Sequence, residues 1–458
     1  MLRMTATVVA VLAVSSAPGA LTTPKAAAQE VPCDATCVHV PDPPVLACMM
    51  GCGDPAPDSQ EATLDGPDVP LVALTEELFL LGGASEEEWQ AFTEISEVHF
   101  DHDGNLVILD RRQNRVVVVG SDGEFRRHIS RTGQGPGELR MAIGVGVLHD
   151  NRIVVRDVGH NALFLFGADG NFLEQHVAIR EPSTRMQSQS VIGSSQTLPA
   201  LLGSFPDGRL LTARRRGARA LDIHTIGRGS REVYRAYTPP PSEAAGSESV
   251  SMIRIGEMEV QLPGGILPRR TVFGPPLLAA VLADGEIAVV DSVGYQVKIV
   301  RPDDGSVRTV LERPINPFPV TAEMQEAARE RESGGGGAQV IATGPGISGA
   351  AGRELESAIA QSLVPEMDFG SEVPVISEMG VDHGNRIWIV RSGEDGVSPG
   401  PVDVLTPSGG YLGTLSEDFF QMPDAFGPDG MMAYIELGEF DVPVLRVLRL
   451  VSLTVAGG

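Results

Sequence analysis

The sequence predicts an all-β chain built as a closed ring of repeated four-stranded units. Three observations lead there. A strand–turn–strand unit is clearest at Phe100–Asp110 (Phe-Asp-His-Asp-Gly-Asn-Leu-Val-Ile-Leu-Asp) and continues through Arg115–Phe125. A turn signal followed by a short apolar strand recurs six times along the chain. The sixth unit lacks a fourth strand, while a spare strand, Leu71–Leu81, precedes the first.

Taken in order, residues 1–28 read as a secretory leader. Arg3 opens it, Val8–Val14 is the apolar stretch, and Ala26–Ala28 before Gln29 is a small-residue cleavage site. Export to the periplasm or the extracellular space is the expectation. No later run reaches the ~18 apolar residues of a spanning helix, so no transmembrane segment is expected. Residues 29–68 form a Cys- and Pro-rich extension holding all four cysteines, Cys33, Cys37, Cys48 and Cys52, spaced C-x3-C-x10-C-x3-C. In an oxidising compartment that pattern reads as two disulfides. Three connectivities satisfy it, and nested pairing (Cys33–Cys52, Cys37–Cys48) suits an antiparallel hairpin. Zinc ligation is the rival reading. Residues 53–68 read as a linker.

Residues 69–458 carry the repeats. Runs such as Leu106–Leu109 and Val116–Val119 are short, apolar and β-branched, as strands buried on both faces are. The turns are Asp103-Gly104, Asp150-Asn151, Asp207-Gly208, Asp284-Gly285, His383-Gly384 and Asp429-Gly430. Gly or Asn at the second position accepts the positive φ of a tight hairpin. Each turn leads into a second strand: Leu106–Leu109, Ile153–Val155, Leu210–Ala213, Ile287–Val290, Ile387–Val390 and Met432–Ile435. A lone four-stranded sheet cannot cover its own faces, so units must stack, and ring closure by Leu71–Leu81 removes the exposed edge. Two insertions break the spacing. Residues 238–275 read as an extra hairpin around Met252–Leu262. Residues 321–372 hold two helical stretches, Thr321–Glu332 with Thr321 as N-cap, and Ala351–Leu363.

The units resemble the NHL-type repeats of a six-bladed β-propeller. Arg131–Leu139 (Arg-Thr-Gly-Gln-Gly-Pro-Gly-Glu-Leu) is similar to a Gly-x-Gly-Pro-Gly-Glu loop of exported bacterial six-bladed propellers. The resemblance covers residues 70–455. It implies an all-β six-bladed propeller closed by an N-terminal strand, with a partly helical insertion between blades four and five. It implies little about activity, although six-bladed propellers include metal-dependent lactonases and lyases. Arg214 and Glu436 depart from the Asp that ends the second strand in units one, two and four.

Composition limits function. A net charge of −25 argues against nucleic-acid binding, which needs cationic surface against phosphate. Lys occurs only at Lys25 and Lys298, so any anion site here is an Arg site. The second strands end in Asp110, Asp157, Arg214, Asp291, Arg391 and Glu436, which a propeller gathers around one channel end. Arg111, Arg112, Arg115 and Arg215 follow them. These residues are the candidate site. They suggest a binding or protein-interaction module for a protein partner or a polar, anionic extracellular ligand. A metal-dependent hydrolase, lactonase or lyase is the alternative. No cofactor is expected, with calcium at the acidic rim as the exception considered. His102, His149 and His383 occupy equivalent turn positions in different blades and are expected to stand too far apart to share an ion.

Overall fold

The computed structural model describes residues 10–12, 36–41, 44–49, 60–83, 85, 87–177, 200–214, 219–237, 251–255, 258–262, 270–334 and 367–456. The chain divides into two units, Met1–Ser59 and Gln60–Gly458. In the first, Ala10–Leu12, Thr36–Pro41 and Pro44–Met49 form an antiparallel sheet. Its register sets Cys37 opposite Cys48. Cys33 and Cys52 lie outside the described residues.

The second unit is an all-β six-bladed propeller. Blade 1 comprises Ile95–Phe100, Leu106–Asp110, Arg115–Val119 and Phe125–Ile129. Blade 2 runs Ala142–Val147, Ile153–Asp157, Ala162–Phe166 and Phe172–Val177. Blade 3 runs Ala200–Ser204, Leu210–Ala213, Ala220–Thr225 and Gly229–Arg235. Blade 4 runs Leu278–Val281, Ile287–Val290, Gln296–Val300 and Val307–Glu312. Blade 5 runs Ile376–Val381, Ile387–Ser392, Pro399–Leu405 and Tyr411–Leu415. Blade 6 takes Ala425–Phe426, Met431–Leu437 and Pro443–Val455 from the end of the chain. Its outer strand is Leu71–Gly82, antiparallel to Pro443–Val455.

The second strands are buried along their length in blades 1, 2 and 4, because each packs between its two neighbouring blades. The fourth strands of blades 1 and 2 carry polar, mostly exposed residues. Among the described residues six apolar clusters follow, one per blade junction, and that of Leu106, Ile108, Met431 and Leu445 joins blade 6 to blade 1.

Two sequence expectations change, and one contact is added. Within the expected linker, Gln60–Thr63 pairs parallel to Val307–Glu312 as a fifth strand on blade 4. Pro70 then bridges Thr414 on blade 5. The segment 60–82 is therefore a strap along the outer edges of blades 4, 5 and 6. In the fifth turn the left-handed residue is Asn385 (φ 62°), so the equivalent pair is Gly384-Asn385, one residue later than His383-Gly384. Asn supports this backbone through its short polar side chain. The two insertions also meet at their roots, where Arg270–Val272 pairs parallel with Met367–Phe369. The hairpin is Ser251–Ile255 with Met258–Leu262. The helix is Ala322–Gly334, and Thr321 Oγ1 accepts from Met324 N–H at 3.3 Å. The stretch Ala351–Leu363 lies outside the described residues.

Candidate functional site in the central channel

The first strand of each blade lines the channel. A cavity of about 560 Å³ opens there, lined by His99, Ser204, Ser377, Glu378, Met422 and Asp424 among others, and, among the described residues, by no Lys or Arg. A β-bulge between Ile376 and Glu378 re-aims the strand, and blade 1 repeats it between Ile95 and Glu97. Burial raises the Glu378 carboxyl above its ordinary pKa, and the Asp424 charge adds to the rise. Burial likewise raises Asp424, against the pull of the Ile435 N–H that its Oδ2 accepts at 2.6 Å. Burial pushes the His99 imidazole down to about 4. Glu97 Oε2 accepts from Val145 N–H at 2.7 Å, tying the inner strands of blades 1 and 2.

Sequence reasoning missed Glu378, Asp424 and His99. A signal exists for the first. Ile-Ser-Glu-x-x-x-Asp-His occurs at 95–102 and again at 376–383, in the same frame of blades 1 and 5.

The strand-end residues do surround the other face, but as bonded groups. Asp110 accepts from Thr93 and Glu94 N–H and pairs with Arg115 at 3.3 Å. Asp157 accepts from the N–H groups of Arg140, Met141 and His160 at 2.7–2.9 Å. Asp291 accepts from Tyr234 Oη and Lys298 Nζ, each at 2.7 Å. Arg214 forks onto Asp222 and reaches Glu232 at 3.0 Å. Arg391 meets Asp68 at 2.7 Å and Asp403 at 3.0 Å. Glu436 pairs with Arg446 at 3.1 Å. Arg111 and Arg112 share one carboxylate, Glu94. Arg215 lies outside the described residues.

The three turn histidines stand closer together than the sequence reading expected, although among the described residues no three His, Cys, Asp or Glu side chains are arranged to hold an ion. Each sits at the second position of its turn, where the inner strand ends. Asp101 and Asp382 build the turns of blades 1 and 5 by accepting from the backbone at Asn105 and Arg386. The rings converge: His102 meets His149 edge to face with centroids 4.2 Å apart, and His383 with centroids 5.9 Å apart. The expectation of separation treated blades as independent sheets, whereas a six-bladed ring narrows its inner turns onto the axis. Partial burial lowers the pKa of His102, and the His149 charge adds to it. The same two causes act on His383, with His102 as the neighbour.

Residues 87–174, which hold blade 1 and most of blade 2, match the DUF5128 family, described as a 6-bladed β-propeller. No curated protein matches the chain. Among solved structures, a member of the DUF4221 family from Bacteroides vulgatus is 11% identical, with 85% of this chain and 100% of that chain covered and a TM-score of 0.46. A protein described as exported, from Bacteroides fragilis, is 12% identical, with 86% and 99% covered and a TM-score of 0.43. Virginiamycin B lyase from Staphylococcus aureus, an inactive variant with quinupristin, is 9% identical, with 83% and 100% covered and a TM-score of 0.39.

Proposed function

We propose that the chain is a binding propeller holding a polar, positively charged ligand in its central channel. One observation carries this: Glu378 and Asp424 face a cavity of about 560 Å³ that, among the described residues, no Lys or Arg lines. Two exposed carboxylates with raised pKa values, lacking countercharge among the described residues, favour a cation with hydrogen-bond donors, which would also restore their ordinary pKa. The volume suits a small molecule or the end of a peptide.

Calorimetric titration with aliphatic diamines, guanidinium-bearing peptides, calcium and dicarboxylates of matched length tests it. We expect binding of the organic cations, weakened about tenfold or more by Glu378→Gln or Asp424→Asn, the effect of removing a charged hydrogen bond. Cation affinity unchanged in both variants would sink the proposal. A hydrolase or lyase would use the same two carboxyls, held toward neutrality, as proton donor and acceptor, and product formation during the titration would reveal it.

A second reading keeps the anionic ligand at the opposite face. Arg111 and Arg112 share Glu94 yet stay 51% and 72% exposed, so the ion pairs among the described residues give the two guanidinium groups a single carboxylate. Dicarboxylate binding lost in an Arg111→Ala/Arg112→Ala double variant would select it. We further infer export, from the leader, and two disulfides, which the Cys37–Cys48 register supports. Thiol titration with and without reductant checks the latter. Among the described residues no helix is long and apolar enough to cross a membrane.

A further inference from the structure

We propose that His102, His149 and His383 form a site for one divalent transition-metal ion of the imidazole-binding class, such as Zn²⁺, Ni²⁺ or Cu²⁺, at the end of the channel opposite the strand-end arginines. This goes beyond the ligand reading and uses none of its residues.

The argument begins with placement. Blades 1 and 5 are separated by blade 6, so contact between His102 and His383 has to span the end of the channel. All three residues occupy the same position of the same turn, which aims them alike. In blades 3, 4 and 6 that position holds Pro206, Ala283 and Pro428, none of them a ligand. The ring of turns therefore offers three imidazoles and leaves a tetrahedral ion one open coordination position, as in three-ligand zinc sites. The scaffold is also braced. His102 N–H donates to Asn151 Oδ1 at 2.9 Å, and Asn151 Nδ2 donates to Asp103 Oδ2 at 2.8 Å, locking the turns of blades 1 and 2 together. Ala283 N–H donates to Asn385 Oδ1 at 2.8 Å, which does the same for blades 4 and 5.

The spacing fits. With nitrogen–metal bonds of ~2.0–2.1 Å, two imidazoles on one tetrahedral ion stand with ring centroids roughly 5 Å apart. The two observed separations, 4.2 and 5.9 Å, lie on either side of that value, and both involve His102, so His149 and His383 would have to be drawn together around it. As packed, the rings meet edge to face, and no three His, Cys, Asp or Glu side chains among the described residues are already arranged to hold an ion. Ligation then needs rotation of the imidazoles about their side-chain bonds, which exposed turn residues make readily. Nitrogen donors select borderline transition metals over calcium or magnesium.

The test uses the full chain without an affinity tag, stripped with chelator and titrated with ZnCl₂ and NiCl₂ by calorimetry, then with CoCl₂ by absorption. We expect one ion per chain and a cobalt spectrum without thiolate charge transfer. Affinity should fall about tenfold or more in either His102→Ala or His383→Ala, since losing even an outer-shell partner of a ligand costs roughly 10–100-fold. His128→Ala should bind as the parent does. Melting curves in chelator establish that the variants remain folded. Absence of binding, equal affinity in the folded variants, or a thiolate band assigning the metal to the cysteines would each overturn the proposal.

Discussion

His99 shows how one side chain makes stability depend on pH. Its folded pKa, about 4, lies below the ordinary 6.5. As pH falls through 6.5 the unfolded chain takes up a proton that the folded chain refuses, so stability is full above 6.5 and is lost down to about 4. At 1.36 kcal/mol per pKa unit the loss is roughly 3 kcal/mol. Glu378 and Asp424 act with the opposite sign, because their raised folded pKa values make the folded state the first to be protonated. The parent profile is therefore a sum, and His99→Gln isolates one part of it. We expect the parent to lose stability relative to His99→Gln between pH 6.5 and 4 in urea unfolding. Parallel profiles would show that His99 is not held neutral. None of this is written in the local sequence. His99 reads as one polar residue in a half-apolar strand, and only ring closure puts it in the lumen.

At the scale of elements, the strap 60–82 is held by more than strand pairing. Asp68 bonds Arg313 at 2.9 Å and Arg391 at 2.7 Å. Buried Asp403, on the third strand of blade 5, bonds the same two arginines at 2.9 and 3.0 Å and accepts from Thr414 at 2.5 Å. Arg313 also lies over the Tyr411 ring at 4.2 Å. Asp403→Ala leaves two largely buried guanidinium groups with only Asp68 between them, and we expect a loss of about 3–5 kcal/mol in chemical denaturation. Asp68→Ala removes a carboxylate that is 45% exposed, so we expect no more than about 1 kcal/mol from it. Equal losses from the two variants would mean that the network is not organised around Asp403. Arg391 was visible in the sequence as a strand-end residue. Its partner Asp68 lies hundreds of residues earlier, inside what read as a linker, so the sequence suggested a free guanidinium where the fold supplies a neutralised one.

For the whole molecule, the repeat pattern was highly legible. Turn pairs and apolar runs recur because each blade must solve the same packing problem, and the missing fourth strand pointed to Leu71–Leu81. The strap on blades 4 and 5, the joined insertion roots and the histidine cluster were not legible. Each is a contact between units, and a repeat pattern describes only the unit. Closure also sets a prediction. Deleting residues 71–82 should leave Pro443–Val455 as an unpaired edge and open the junction of Leu81 with Leu106 and Leu445. We expect loss of the cooperative melting transition and association on size-exclusion chromatography. A cooperative, monomeric deletion variant would refute closure by this strand.

Because blade 6 draws its outer strand from residues 71–82 and its other three from residues 425–455, the ring has a fixed place in the order of synthesis. Leu71–Gly82 leaves the ribosome long before its partner exists, and its apolar residues wait through the making of five blades. No partial chain can complete the ring, so folding of this unit finishes only after translation has passed Val455. A chain built this way stays threadable until its last strand is made.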